Sequence, residues 1–301
     1  MMEHHFVIAD VFTANPFGGN QLAVFPDARG MSDRAMQALT REFNFAESTF
    51  VLPARNPAHA RRVRIFTPGA EVPFAGHPTV GTAAVLARLG MVETPGGKAT
   101  IVLEEGIGPV PVEVQLDGKA VMTRFSLEGP GERAASAPRP ADAAAALSLP
   151  PTGVTDTWFA SYGLPFCFIK LTDKVMVDRS VLDRSAWSAA FGRAWASNLF
   201  LFADDAATGE NVYARMFAPS LGIAEDAATG SAAAALAGSL AETSPQRTGE
   251  FAWRIEQGVA MGRPSLILAS AEKRDGKVLR VRVGGTTVIV GDGHMTTPDS
   301  Y

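Results

Sequence analysis

The amino-acid sequence predicts an α+β protein with two pseudo-symmetric domains, each of which curls a mixed or antiparallel sheet around one central helix. Three observations lead to this fold class. Short segments recur in one order at nearly half the chain length, two helices are apolar on every face, and the regular alternation of a parallel Rossmann sheet is absent. A helix that is apolar all round must be buried, and the strands beside it are the elements that can cover it.

Internal duplication is the first of these observations. Arg64–Pro68 recurs as Arg215–Pro219, 151 residues later. One such match carries little weight, but four in the same order indicate two copies of one unit. The other three, at offsets of 149 or 150 residues, are Asp33–Arg34 with Asp183–Arg184, Ser48–Leu52 with Ser197–Leu201, and Gly81–Ala84 with Gly230–Ala233.

The elements of the first copy can be justified in chain order. A helix capped by Ser32 carries Met36, Leu39 and Phe43 at helical spacing. A second helix, 78–89, has proline at its start and glycine just past its end. Strands are predicted at 6–12, 22–25, 49–53, 62–66, 99–104, 110–116 and 120–126, with a turn at 15–20.

A change in composition marks the domain boundary. Residues 129–155 are rich in Ala, Pro and Gly and poor in large apolar side chains, which predicts a linker with at most a short helix. The first domain then covers residues 1–128, and the second covers 156–301. The sequence leaves open whether residues from about 285 to 301 pack back on the first domain.

Composition also excludes several classes of partner. The chain has 301 residues, of which 47% are hydrophobic and 19% are charged, as in ordinary globular proteins. A net charge of −4 and the lack of a basic block longer than Arg61–Arg64 argue against a nucleic-acid surface. No apolar run reaches membrane-spanning length, and the N-terminus lacks the pattern of a signal peptide. We therefore expect a cytoplasmic protein with a small-molecule partner.

Motifs for cofactors and metals are missing from the sequence. It has neither a Gly-x-Gly-x-x-Gly fingerprint nor a P-loop, so no nucleotide cofactor is expected. The five histidines show no metal-ligand spacing, and no metal is expected. Cys167 is the single cysteine, which excludes an intrachain disulfide and a two-thiol active site, and its apolar neighbours predict a core strand.

Two buried helices begin with glycine and a polar residue, at Gly76–Thr79 and Thr229–Ser231. A helix N-terminus exposes unpaired N–H groups and attracts anions, and glycine lets a ligand approach the backbone closely. If the two copies face each other, both helix starts converge on one cleft that suits a small carboxylate. The alternative is that these residues are ordinary helix caps.

Glu47 is the first candidate for chemistry. In the sequence comparison its match in the second copy is Ala196, so the shared fold does not require a carboxylate there. Apolar neighbours on both sides predict a raised pKa for Glu47, which suits a proton shuttle. The alternative is an exposed glutamate in a loop.

Three other side chains lie at or near the helix starts. His77 could donate to or polarise a substrate, or it could be a capping or packing residue. Asp226 could accept a helix N–H, or it could orient a substrate amine or hydroxyl. Ser231 lacks the Gly-x-Ser-x-Gly setting of a nucleophile, so a hydroxyl that binds substrate is preferred.

Eight ordered motifs run along most of the chain: Asp10–Phe12, Gly19–Asn20, Glu47–Phe50, Arg64–Pro68, Pro73–Pro78, Glu225–Ser231, Gln257–Val259 and Gly262–Ser265. Together they resemble the motifs of the PhzF family of phenazine-biosynthesis-like proteins, which share the diaminopimelate epimerase fold. Gln21 and Ala227 depart from residues that many relatives have, without affecting the chemistry.

The resemblance implies a site in a cleft between two similar domains, and a homodimer. It places Glu47 at the family's catalytic acid/base position. It places His77, Asp226 and Ser231 at substrate-contacting positions, and Gly76 and Gly230 at the positions of backbone donors. The founding member isomerises trans-2,3-dihydro-3-hydroxyanthranilate by moving a proton around a ring. Racemases of the same fold use one cysteine from each domain, and here the matching helix starts carry His77 and Ser231 instead.

The sequence thus predicts a cofactor-independent isomerase that moves a proton on a small carboxylate substrate through Glu47. One alternative is an epimerase of an amino or hydroxy acid with a second base that is not a thiol, such as Asp226. The other is a non-catalytic member of the family that binds a ligand or a protein.

Overall fold

One order of secondary-structure elements occurs twice along the chain. The structure is a computed structural model, and it describes residues 2–205 and 208–298. The chain divides into two units, the first made of Met1–Ser126 with Gly284–Tyr301 and the second of Leu127–Val283. In the part of the chain that the structure describes, no helix is long and apolar enough to cross a membrane.

The first unit consists mainly of strands around one buried helix. Its elements are β1 (Met2–Val11), β2 (Asn20–Phe25), α1 (Asp33–Phe43), β3 (Glu47–Leu52), β4 (Arg61–Phe66), β5 (Glu71–Val72), α2 (Gly76–Arg88), β6 (Lys98–Glu105), β7 (Gly108–Asp117) and β8 (Ala120–Glu128).

The second unit begins with a short strand and a short helix before the repeat. Its elements are β9 (Glu132–Arg133), α3 (Pro140–Ala146), β10 (Val154–Tyr162), β11 (Leu164–Leu171), α4 (Lys174–Arg179), α5 (Arg184–Phe191), β12 (Leu199–Asp204), β13 (Asn211–Ala218), β14 (Ile223–Asp226), α6 (Gly230–Thr243), β15 (Gly249–Gln257) and β16 (Ser265–Arg274). The last strand, β17 (Lys277–Thr297), begins in the second unit and ends in the first.

Strand pairing is the same in both units. β1 is antiparallel to β2, β2 is parallel to β3, β3 is antiparallel to β4, and β4 pairs antiparallel with β5 and parallel with β6. β6 is then antiparallel to β7. β10 to β16 repeat these six pairings in the same order and with the same sense. This shared topology is independent of the sequence matches and agrees with the duplication that they predict.

The sheet of the first unit closes around α2. β7 pairs with β8, β8 with β17 and β17 with β1, which completes a ring of strands. α2 contacts β1, β2, β3, β6 and β7, and its residues from 76 to 87 are all buried. In the second unit α6 is equally buried and contacts β10, β11, β15 and β16. The predicted fold class, a curled mixed sheet around a central helix in each copy, is confirmed.

Hydrogen-bond register corrects the residue matches between the copies. Ser48 lies opposite Phe66 in β3–β4, whereas Leu199 lies opposite Phe217 in β12–β13. Because Phe66 and Phe217 belong to the matched segments, Ser48 corresponds to Leu199, and Glu47 corresponds to Asn198 instead of Ala196. The helices are also shifted, since α2 starts at Gly76 and α6 at Gly230. Gly81 therefore does not correspond to Gly230.

The segment for which the composition predicts a linker, 129–155, lies in the second unit and contains β9, α3 and the start of β10. α3 packs against α5 and β10, and three of its alanines, at 143, 144 and 146, belong to the buried core of this unit together with Leu147. Alanine side chains are small enough to bring a helix close to its neighbours, so an alanine-rich segment can be core without large apolar residues.

Candidate active site

Glu47 is the first residue of β3, beside Leu22 of the parallel strand β2. The chain reaches it from α1 through Asn44, which ends that helix in the left-handed conformation with φ of 53°. Its side chain is 13% exposed, so the carboxylate is mostly shielded from solvent without being sealed from it. A shielded carboxylate with limited access is the setting that a proton shuttle needs.

His77 is the second residue of α2, and its side chain is only 3% exposed. Its Nδ1 lies 3.6 Å from Glu47 Oε2 and 3.3 Å from Asn20 Nδ2. Its Nε2 is buried and has no hydrogen-bond partner within residues 2–205 and 208–298. An orphaned buried ring nitrogen costs free energy that a bound ligand can recover.

Burial lowers the pKa of His77 to about 3, and a hydrogen bond to the Gln21 backbone opposes this effect. The imidazole is therefore neutral at physiological pH. Its contact with Glu47 is then not an ion pair, and a neutral ring can either donate or accept a hydrogen bond through Nε2. The ring can polarise a substrate group without bringing a positive charge.

A tight turn before β2 places Asn20 beside His77. Gly19 has φ of +64°, and a Cβ there would lie 2.3 Å from the carbonyl oxygen of Val11. The turn is also held by Asp10 Oδ2, which accepts a hydrogen bond from the Phe17 N–H at 2.7 Å. Only glycine fits this conformation and this contact. The Gly19–Asn20 motif is visible in the sequence, whereas the contact between Asn20 and His77 is not.

In the second unit Asp226 is the last residue of β14, and it is buried. Its Oδ2 accepts a hydrogen bond from the Thr229 hydroxyl at 2.6 Å. Gln257 braces the same turn: its Nε2 donates to the Asp226 carbonyl oxygen at 2.8 Å, and its Oε1 accepts from the Thr229 N–H at 3.1 Å. The carboxylate is thus held in one orientation by a fully buried network.

The loop after β15 reinforces this turn from behind. Gly258 has φ of +76°, and a Cβ there would lie 2.5 Å from the Ala227 carbonyl oxygen. The Ser265 hydroxyl lies 3.0 Å from that same oxygen. Gly230 and Ser231 follow as the first two residues of α6, both buried, and the side chain of its N-cap residue, Thr229, makes no capping hydrogen bond. As in any α-helix, its first N–H groups have no partner inside the helix.

The structure brings Glu47, His77 and Gly76 together in the first unit, and Asp226, Gly230 and Ser231 together in the second. Cys167 lies on β11 in the core of the second unit, where burial raises the pKa of its thiol. Among the described residues, no cluster of three or more His, Cys, Asp or Glu side chains could hold a metal ion.

The chain is similar to known proteins over nearly its whole length. The sequence model of the family described as "Phenazine biosynthesis-like protein" matches residues 9–293. A protein of Mesorhizobium japonicum, described as an uncharacterized isomerase, is 39% identical over 98% of this chain and 99% of its own length. The trans-2,3-dihydro-3-hydroxyanthranilate isomerase of Pseudomonas chlororaphis is 37% identical over 96% of this chain and 98% of its own length.

A solved structure supports the fold. The crystal structure of a phenazine biosynthesis protein of the PhzF family from Bacillus anthracis matches with a TM-score of 0.86. The match covers 99% of this chain and all of the other, at 21% sequence identity. At that identity the match shows the fold alone.

Proposed function

Because this chain belongs to the PhzC-PhzF family of phenazine biosynthesis-like proteins, we propose that it moves a proton on a small carboxylate substrate, with Glu47 as the group that carries the proton. That the chain is an isomerase of this family follows from its identity to named isomerases over nearly its whole length. trans-2,3-Dihydro-3-hydroxyanthranilate is the first substrate to test, since it is the substrate named for the Pseudomonas chlororaphis relative.

The observation that carries the proposal is the pair formed by Glu47 and His77. Glu47 takes a proton from an activated carbon of the substrate, and the same proton returns to a different carbon, so no bond to a heteroatom is broken. Such an isomerisation is redox-neutral and requires no cofactor. Neutral His77 bonds to a substrate heteroatom through Nε2, the atom that has no partner in the described residues. That hydrogen bond stabilises the negative charge that develops on the substrate as the proton leaves.

The remaining site residues bind the substrate in this proposal. The N–H groups at Gly76 and Gly230, each at the start of a buried helix, suit the substrate carboxylate. Ser231 supplies a hydroxyl to the substrate, and Asp226, fixed by Thr229 and Gln257, orients a substrate amine or hydroxyl and steers proton placement. These roles rest on the family resemblance and on the chemistry of each group.

Replacement of Glu47 by glutamine tests the proposal. Glu47→Gln keeps the shape of the side chain and removes its proton-carrying group, so turnover should fall by at least about 10²-fold while KM changes little. Glu42→Gln, on the exposed face of α1, is the matched control and should retain wild-type turnover. Near wild-type turnover of Glu47→Gln would end the proposal.

Hydrogen transfer can be followed in deuterated water. A proton that returns from a shielded Glu47 should be retained in part in the product, whereas a carboxylate open to solvent should exchange it fully. If the wild-type protein leaves trans-2,3-dihydro-3-hydroxyanthranilate unchanged, the substrate assignment fails, and Glu47→Gln must be compared on the substrate that is turned over.

Two further expectations stay predictions. The family resemblance implies a homodimer, which sedimentation equilibrium of the purified protein tests directly. The cytoplasmic location is a prediction from the sequence alone, and fractionation of the native cells tests it.

A further inference from the structure

The end of β6 holds the segment that leads into α2, the helix that carries His77. The Ile107 N–H donates to the Pro73 carbonyl oxygen at 3.2 Å. Gly106 packs directly against the same residue, since a Cβ there would lie 2.6 Å from Pro73 Cα. Only glycine allows the two backbones to approach this closely. Because α2 begins three residues after Pro73, these contacts fix the chain just before the helix.

Glu105, the last residue of β6, reaches α2 itself. Its Oε1 lies 2.8 Å from the Thr79 hydroxyl oxygen, which also lies 2.8 Å from the carbonyl oxygen of Ala75. A hydroxyl group has only one proton to donate. When Thr79 donates to Ala75, the contact with Glu105 is a hydrogen bond only if the carboxyl group supplies its own proton. Ala75 is the N-cap residue of α2, so this relay fixes the point from which the helix starts.

The second unit has the same arrangement at equivalent positions. Strand pairing equates Glu105 with Gln257, because β6 lies beside β4 as β15 lies beside β13. Gln257 braces the Asp226–Thr229 turn just before α6. The glycine after it packs closely against that turn, as Gly106 packs against Pro73. In both copies the residue at this position therefore holds the start of the central helix. The equivalent parallel pairs are Arg62 with Glu104 and Tyr213 with Glu256.

We propose that Glu105 is a positioning residue of the site, the counterpart of Gln257, and that it holds the start of α2 so that His77 is correctly placed for the substrate. Because the proposed function gives His77 its bond to the substrate, this role of Glu105 rests on that function. Glu105 acts through Thr79 and does not itself contact the substrate. His77 Nδ1 lies 3.6 Å from Glu47 Oε2, and a shift of the helix start changes this distance.

Glu105 differs from Gln257 in that it can ionise. Burial raises the pKa of Glu105 to about 8, and the hydrogen bond with Thr79 opposes this effect. At pH 7 the carboxyl group holds the proton that the relay needs. Above pH 8 the carboxylate can only accept, so it competes with the Ala75 carbonyl for the single proton of Thr79. The positioning of the helix start should therefore weaken as the pH rises through 8.

Other charged groups near Glu105 lie mainly on the opposite side of the sheet. In the described residues of α2 and of β4 to β7, only Arg61 and His77 share with Glu105 the side that faces the helix core. Arg61 donates to the Met91 carbonyl oxygen at 2.9 Å, past the far end of α2, and His77 is neutral at alkaline pH. The alkaline change is therefore assigned to Glu105. The charged residues of these strands on the other side are Arg62, Arg64, Glu71, Lys98, Glu104, Glu113 and Asp117.

The pH dependence of Glu105→Gln tests this role, measured as the ratio of its kcat/KM to that of wild type on the substrate that wild type turns over. Glutamine can replace the carboxyl group in the relay, since its amide both donates and accepts, but it cannot ionise. The ratio should be near one at pH 7 and rise to about three- to tenfold at pH 9. A titration of the substrate cancels in this ratio. Glu113→Gln, at an exposed position on β7, is the matched control, and its ratio should stay near one.

Thr79→Val separates the relay from simple burial of Glu105. Valine has nearly the same shape but no hydroxyl group, so kcat/KM at pH 7 should fall by about tenfold or more as the helix start loses its tie. In the Thr79→Val background, Glu105→Gln should no longer change the pH profile, because both residues act through one relay. Thermal melting checks that each variant is folded.

The ¹³C signal of the Ala75 carbonyl gives a readout that needs no substrate. In wild type it should shift as the pH passes 8, and in Glu105→Gln it should stay constant. A constant signal in wild type from pH 7 to 9.5, or an activity ratio that stays near one, overturns the inference and leaves the proposed function standing. Near wild-type turnover of Glu47→Gln would instead end the proposed function without changing the Ala75 signal. The two proposals can therefore fail separately.

Discussion

Replacement of the buried Glu105 by glutamine should stabilise the folded protein at alkaline pH and leave it almost unchanged near pH 4.5. Burial raises the pKa of this carboxyl group from 4.5 to about 8. Between these values the unfolded chain has lost the proton and the folded chain still holds it. Stability therefore falls by up to about 1.4 kcal/mol for each pH unit in that window.

The sign follows from the raised pKa. The contribution of Glu105 to stability is fully present below pH 4.5, and it is lost as the pH rises through 8. Over the whole window the linkage relation sets an upper bound of roughly 4–5 kcal/mol, and relaxation of the protein around the ionised group reduces the expected loss to roughly 2–4 kcal/mol. Glutamine cannot release a proton, so the variant lacks this slope, and its amide can still accept the hydrogen bond from Thr79.

Urea unfolding at pH 4.5, 6, 7, 8 and 9 measures the effect. The difference in unfolding free energy between Glu105→Gln and wild type should grow with pH and level off above about 8. His77 contributes a slope of the opposite sign below its unfolded pKa, but it is present in both proteins and cancels in the difference. Glu42→Gln, at an exposed position, should follow wild type. Parallel curves for Glu105→Gln and wild type would refute the buried, protonated state of Glu105.

Three further predictions concern the other buried polar groups. The His77 ring should stay neutral from pH 8 to 5 in ¹⁵N spectra of the folded protein, because burial lowers its pKa to about 3. In the urea-unfolded protein it should titrate near 6.5. Titration of His77 above pH 5 in the folded protein would contradict this prediction. Cys167→Ala should keep turnover within a few-fold of wild type. Iodoacetamide should not inactivate the folded protein, because the thiol is buried with a raised pKa. Inactivation that tracks alkylation of Cys167 would contradict the proposal that Glu47 carries the proton. Gln257→Leu should lower the unfolding free energy by roughly 2–5 kcal/mol, since it leaves buried groups of the Asp226–Thr229 turn without hydrogen-bond partners. Gln246→Leu, at an exposed position, should not lower it. An equal effect of both variants would show that Gln257 does not brace the turn.

Much of the fold is predictable because its signals are local. The all-apolar composition of α2 and α6 can be read from a few turns of sequence, and burial follows from it. The repeated Arg-x-Phe-x-Pro segments begin on equivalent strands, β4 and β13. In each copy the arginine donates a hydrogen bond to a glutamate that follows in the chain, Arg64 to Glu71 and Arg215 to Glu225. A motif that recurs with its partner preserves one local structure, and sequence comparison finds it.

Register and long-range hydrogen bonds are not local, and sequence comparison does not fix them. Short apolar matches tolerate a shift of two residues, since a strand then keeps the same side chains on the same face. Sequence comparison therefore matches Glu47 to Ala196, although strand pairing places it with Asn198. Asn20 and Gln257 were missed as site residues for a related reason. Each acts on a partner 57 or 28 to 31 residues away, and nothing in its immediate sequence announces that contact.

The corrected register bears on the choice between one base and two. Glu47 corresponds to Asn198, whose side chain accepts a hydrogen bond from Ser220 at 2.8 Å. Asp226 lies opposite Met216 and corresponds to Val72, which lies opposite Ile65. Each carboxylate thus occupies a position where the other copy has a neutral residue, and neither stands at a helix start. The family resemblance implies that racemases of this fold use one cysteine at each of the two equivalent helix starts, where this chain has His77 and Ser231. The unequal positions of Glu47 and Asp226 agree with the reaction proposed above, in which Glu47 is the one proton carrier and Asp226 a separate, fixed orienting group, and not with a symmetric two-base exchange.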